Sequence, residues 1–337
     1  MMTDKKLLWI ALAVFTLVFA GCRKSNRFSV DVTPADSVHI ARVDLDLIAF
    51  DTLNADAEIE KLFQKYPDFM PQYFSQMLEL PATDRKLLAD QLRSFCADTV
   101  FSKVNADVQA QFADVSDIEA ELTNSFASLR HNFPELKLPG LYFFVSGFNR
   151  SVVITQAFVG IGTDMYLGSE YSRYSDISYQ YMTYNMRRES IAVDVVSAIL
   201  FSHFPSDVTS DRLLDNMLYR GKLLYVLSAV MPERKPHDII GYTKFQWEWS
   251  RKYESEIWSS ILDHNDLYSS DLMLIRKYLN DAPFTAPVSQ DSPGRLGAWV
   301  GWQIVNAWMD KHGNVSLADL LKENNYQKML DESGYQP

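Results

Sequence analysis

Histidine and cysteine are scarce in this chain, and neither is clustered. The six histidines, His39, His131, His203, His237, His264 and His312, are scattered. The sequence therefore has no His-x-x-x-His pair, the spacing that sets two imidazoles on one helix face for zinc. The two cysteines are Cys22 and Cys96, too few for a cysteine cluster, and Cys96 sits in the apolar helical context "LRSFCADT", where a packed, inert thiol is expected. Gly-x-Ser-x-Gly, the elbow that carries a serine nucleophile, does not occur. "GIGTD" (160–164) lacks the Lys-Ser/Thr that would make it a phosphate loop, so it reads as a turn. Basic excess is missing too. The formal charge is −11, and with no basic stripe the chain is a poor partner for nucleic acid. Nor does any Pro/Gly/Ser linker cut the sequence, so residues 38–337 read as a single α+β domain.

What is present begins at the N-terminus. Lys5 and Lys6 precede an apolar run from Leu7 to Ala20, then Gly21–Cys22. The run is too short for a comfortable membrane span and has the proportions of a signal-peptide core. Ending in "FAGC", it is similar to a bacterial lipoprotein signal, with Phe19 where leucine is usual. Residues 1–21 are the expected signal peptide and Cys22 the expected lipid attachment point. An acylated Cys22 leaves Cys96 without an intramolecular partner. Residues 22–37 read as a flexible tether whose basic start, "CRKSNR", adds a weak electrostatic contact to an anionic leaflet.

Downstream the hydrophobic period alternates between two values. "VHIARVDLDLIAF" (38–50) suggests a strand, or a strand turning into a helix. Residues 54–131 are mostly helical, with "SDIEAEL" opening on Ser116 and Glu119 as a capping box. "LYFFVSG", "RSVVITQAFVG" and "IGTDMYLG" (141–168) are β-branched and aromatic, and predict a short antiparallel meander. A tyrosine-dense connector follows at 166–184, and the rest is helical. The fold class is α+β, mainly helical with a small antiparallel sheet.

Two helical segments carry features that an ordinary core does not need. "RESIAVDVVSAILFSHF" is apolar from Ser190 to Phe201 apart from Asp194. "MLYRGKLLY" (217–225) places Arg220 and Gly221 among leucines. A buried carboxylate needs a partner, so Arg220 is expected to contact Asp194 first and Glu189 second. Glycine inside a helix costs about 1 kcal/mol relative to alanine, and is explained at Gly221 if another backbone approaches there. In "DSPGRLGAWVGWQIVNAWM" (291–309), Gly297 and Gly301 are four apart among Trp299, Trp302 and Trp308. The run reads first as a core helix in close contact with a neighbour, and second as a docking patch presenting Trp299 and Trp302.

The motifs "IGYT", "ESEIW", "LYSSD", "SPGRLG" and "GWQIV", with "KYPDF" nearer the N-terminus, closely resemble the gliding motility lipoprotein GldB family of Bacteroidetes. The resemblance spans nearly the whole chain. It implies a lipid-anchored envelope protein of the gliding machinery and its associated type IX secretion apparatus, on the periplasmic face of the outer membrane, with other envelope proteins as partners. GldB-like proteins are in turn distantly similar to zinc peptidases with an HExxH helix and a later helix that offers a glutamate before glycine. On that comparison "VDVVS" (193–197) stands where HExxH would, and Arg220 replaces the glutamate before Gly221. The resemblance thus implies a metallopeptidase-like scaffold lacking the metal ligands, with Asp194, Glu189, Arg220 and Gly221 as a vestigial site. No metal, no cofactor beyond the lipid and no catalysis are expected, and the role is that of a protein-binding scaffold. The alternatives are an active periplasmic hydrolase whose site is not visible in sequence, and a peptide- or glycan-binding module built on the tyrosine connector.

Overall fold

The change of period near residue 140 is where helices give way to a sheet. The structure is a computed structural model that describes residues 27, 28, 30–206 and 211–337. The expected signal peptide and Cys22 lie outside the described residues. Strands β1 (Ile40–Arg42), β2 (Gly140–Phe144), β3 (Val152–Ile154) and β4 (Phe158–Gly162) lie in the order β1-β2-β4-β3. The mainly helical α+β class is as expected, but the sheet is mixed. Only the β3–β4 hairpin is antiparallel, while β2 runs parallel to both β1 and β4. The meander reading assumed that strands consecutive in sequence pair with one another. Instead the short strand at 40–42 is joined to β2 by a long helical crossover, as parallel pairing requires. That strand turns directly into the helix Val43–Ile48, as its sequence suggested.

All five β4 residues are buried, the mark of a strand covered on both faces. One face is aromatic. Phe69 stacks on Tyr142 at 4.7 Å between centroids and meets Phe158 at 5.0 Å, and Tyr73 meets Phe144 at 5.4 Å. The helix Ile191–His203 packs against β3 and β4.

The N-terminal segment is fixed to the helix Ser116–Asn132. Of the expected tether, Phe28 is buried, and its carbonyl oxygen accepts from Asn132 Nδ2 at 3.0 Å and Ser128 Oγ at 3.2 Å. Asp36 pairs with Arg130 at 3.0 Å. The expected capping box at Ser116 does not form. Asp114 accepts from the Ser116 amide at 2.9 Å, which frees Glu119 to accept from the Ile40 amide at 2.9 Å and so hold the start of β1.

Asp164, just after β4, is wholly buried. It accepts from the Ser146 amide at 2.8 Å, the Ser146 hydroxyl at 3.0 Å and the Phe148 amide at 2.5 Å. Burial pushes its carboxyl above the usual range, and these bonds pull the other way. "GIGTD" is therefore the turn it seemed, closed by a buried acid.

The rest of the molecule is built on the helix Leu213–Val230, buried on nearly every side and packed along its length on the helix Leu296–Lys311. Such all-round burial marks an internal helix. The two cross at Gly221 and Gly301. A Cβ on Gly221 would fall 2.3 Å from the Gly301 carbonyl oxygen, and one on Gly301 would fall 1.9 Å from the Met217 carbonyl oxygen. The close backbone approach inferred at Gly221 is thus present, and its partner is the other glycine-bearing helix. No described helix is long and apolar enough to cross a membrane.

Candidate functional site

Asp194 and Arg220 face one cavity of ≈ 210 Å³ between the 191–203 and 213–230 helices. Its walls are apolar, from Val193, Leu200, Leu223, Leu224, Leu227, Ile239 and Leu279. Its polar groups are Asn185, Ser190, Asp194, Ser197, Arg220, Asp238 and Arg295. The structure therefore brings together the two charges that the sequence singled out, but it does not pair them.

Asp194 Oδ2 accepts from the Tyr166 hydroxyl at 2.8 Å. Arg220 instead lies over the Phe201 ring, with its guanidinium carbon 4.7 Å from the centroid. Glu189 is exposed and does not reach Arg220. The expected Arg220–Asp194 and Arg220–Glu189 contacts are corrected accordingly. The reason is that Tyr166, itself buried, arrives from the short turn Thr163–Met165 after β4. It satisfies Asp194 with a neutral donor, so the acid has no need of the arginine. Tyr166 is the first tyrosine of the connector, whose contribution here is a hydrogen bond within the core.

The other charges around the cavity are engaged. Arg187 Nη2 pairs with Asp238 Oδ1 at 3.0 Å. Arg295 Nε pairs with Asp281 Oδ1 at 3.1 Å, and its Nη2 donates to the Gly241 carbonyl oxygen at 3.3 Å. Arg295 holds a left-handed backbone, φ 60°, as the N-cap of the 296–311 helix. A side-chain-bearing residue adopts that conformation at a cost of about 1–3 kcal/mol, tolerated where its surroundings fix it.

Burial pushes the Asp194 carboxyl up to about 6, against the pull of the Tyr166 hydrogen bond and of the charges on Arg295 and Arg187. Burial also lowers the Arg220 guanidinium below its ordinary value, with Arg295 adding repulsion while Tyr219 and Asp281 act oppositely. We expect Tyr166→Phe to cost about 1–2 kcal/mol and to move the Asp194 midpoint higher, because the carboxylate loses its one side-chain donor. Urea denaturation and carboxyl ¹³C titration read the two effects, and an unmoved midpoint would contradict the assignment.

Chemically, the arrangement offers a buried carboxyl pushed up to about 6, a guanidinium and an apolar pocket. Among the described residues, no histidine, cysteine or lysine lines it, and no three of His, Cys, Asp and Glu converge as a metal would need. Arg187, Tyr166 and Arg295 are the site residues that sequence reasoning missed. Arg295 alone left a signal, a charge in "SPGRLG" at the mouth of an apolar helix.

The tryptophan helix follows its first reading, a core helix in close contact with a neighbour, and the second, a docking patch, is corrected. Trp299 and Trp302 are buried, and each meets Trp247, at 6.3 Å and 5.7 Å between centroids. Gly297 lies against Tyr278 and Leu279, and Gly301 against Met217. All four residues belong to the core.

The sequence model of the family described as gliding motility protein GldB matches residues 25–337. No curated protein and no solved structure matches the chain.

Proposed function

The chain belongs to the family of gliding motility protein GldB, and from that premise we propose that it is a lipid-anchored envelope component of the gliding machinery and its associated type IX secretion apparatus, acting by binding other proteins. Cys22 carries the lipid, and no further cofactor is involved. The first residues after it, Arg23, Lys24 and Ser25, contain no acidic cluster of the kind associated with export to the surface, and this supports the periplasmic face of the outer membrane. The scaffold retains the helix pair of a metallopeptidase-like ancestor without its chemistry.

The observation that carries the non-catalytic reading is the identity of the groups in the cavity. Where a zinc peptidase would converge imidazoles and a carboxylate, this chain sets Asp194 on Tyr166 and Arg220 on Phe201. A guanidinium there repels a cation, and zinc needs three or more deprotonated ligands around it. The Asp194 carboxyl, pushed up to about 6 by burial, favours one alternative, a hydrolase that uses it as general acid or base.

Both readings meet one experiment on the full-length protein in detergent. Metal content is measured together with the cleavage of casein and of peptide libraries, with and without chelator. We expect substoichiometric zinc and no turnover. Stoichiometric zinc with chelator-sensitive cleavage would overturn the scaffold reading, and metal-free cleavage lost in Asp194→Asn would establish the hydrolase. Crosslinking in native envelopes identifies the protein partners.

A further inference from the structure

We propose that the cavity between the 191–203 and 213–230 helices is a binding site for a carboxylate carried on a compact apolar group, with Arg220 receiving the carboxylate and the leucine wall holding the apolar part. The first observation is an imbalance of partners. Arg187 and Arg295 are each paired with an aspartate, whereas among the described residues the Arg220 guanidinium has neither a carboxylate at ion-pair distance nor a hydrogen-bond acceptor. A half-buried guanidinium left in that state is costly, and an anionic ligand would offset the cost.

The contact with Phe201 is the second observation. The guanidinium carbon lies 4.7 Å from the ring centroid, and a ring accepts no conventional hydrogen bond, so this contact does not satisfy the N–H groups. Those groups form the planar fork that matches two carboxylate oxygens. The acids near the cavity do not compete for it: Asp194 is turned to Tyr166, and Asp238 and Asp281 are held by arginines.

Size sets the class of ligand. At ≈ 210 Å³ the cavity exceeds the roughly 150 Å³ that admits benzene and is smaller than the ~300–1,000 Å³ typical of drug-sized ligands. It suits one residue-sized group, with Leu200, Leu223, Leu224 and Leu227 against its apolar part. Two sources share this chemistry, a free short-chain carboxylic acid and the C-terminal residue of a partner protein.

Calorimetric titration of the full-length protein in detergent tests the site, with 4-methylpentanoate, its neutral amide, a short peptide ending in free leucine, and the same peptide amidated. We expect saturable binding of at least one carboxylate form and weakening by roughly tenfold or more in the matching amide. Binding of the free acid alone assigns a small-molecule source, and binding of the peptide assigns a C-terminus. Arg220→Gln should abolish binding and Arg220→Lys retain part of it, each checked for folding by circular dichroism. Leu224→Trp, which fills the cavity and leaves the arginine in place, should also block binding. Equal affinity for acid and amide, no saturable binding of either carboxylate form, or unchanged binding by folded Arg220→Gln would each overturn the proposal. The acid–amide comparison needs no variant and does not depend on motility, so its failure is separable from failure of the envelope reading.

Discussion

Gly301→Ala should destabilise the protein by about 3 kcal/mol, near the upper end of what overpacking usually costs. The added methyl would stand 1.9 Å from the Met217 carbonyl oxygen and 2.4 Å from its carbon. Neither is a flexible side chain that can swing aside. Relief requires the 213–230 and 296–311 helices to separate, which opens space along a contact where Trp299, Val300 and Ile304 are fully buried. The higher helix propensity of alanine returns about 1 kcal/mol and does not offset this. Gly221→Ala acts on the same contact, so the double variant should cost less than the sum of the singles. Gly313→Ala is the control, since among the described residues its Cβ would meet only Arg27 Nη1, at 4.0 Å. Urea midpoints decide the matter. A Gly301→Ala midpoint equal to that of Gly313→Ala would show that the helices do not cross there.

Asp194→Asn should leave stability nearly unchanged in acid and raise it by up to about 3 kcal/mol near pH 7.5. The folded carboxyl titrates near 6, against an ordinary value of 3.8. Below the lower value both states hold the proton and no penalty exists. Between the two, the folded state keeps a proton that the unfolded chain has lost, so stability falls as pH rises. Above the upper value the whole penalty is present, about two pK units at roughly 1.4 kcal/mol each. Asparagine is neutral throughout and keeps a carbonyl oxygen to accept from the Tyr166 hydroxyl. The difference between variant and wild type should therefore open across the interval between about pH 4 and pH 6.5. A difference independent of pH would mean that Asp194 is not held in an environment that disfavours its charge.

The sequence showed the helices, the strand-to-helix turn at 38–50 and the tight approach at Gly221, because each is written in local periodicity or in a residue with one steric meaning. It also placed Asp194 and Arg220 near each other, since charges inside apolar helical runs seek polar surroundings. The sheet's pairing and the partner of Asp194 were not legible in this way. Parallel pairing of β1 with β2 joins residues some hundred positions apart. Tyr166 reaches Asp194 from 28 positions earlier in the chain. In each case the missing information was a distant contact, and periodicity reports only nearby ones.

The attachments of residues 28–42 have a mechanical meaning. Phe28 is held by Ser128 and Asn132, Asp36 by Arg130 and Ile40 by Glu119, after which β1 enters the sheet beside β2. A pull on the N-terminal end meets these fastenings one after another before it reaches the sheet. Tension from that side is therefore dissipated along the 116–132 helix in small successive steps. The 213–230 helix takes part of the load at once, since the Phe28 ring meets Tyr225 edge-on at 6.4 Å, and Arg27 ties the same end to the Val315 carbonyl oxygen at 3.2 Å.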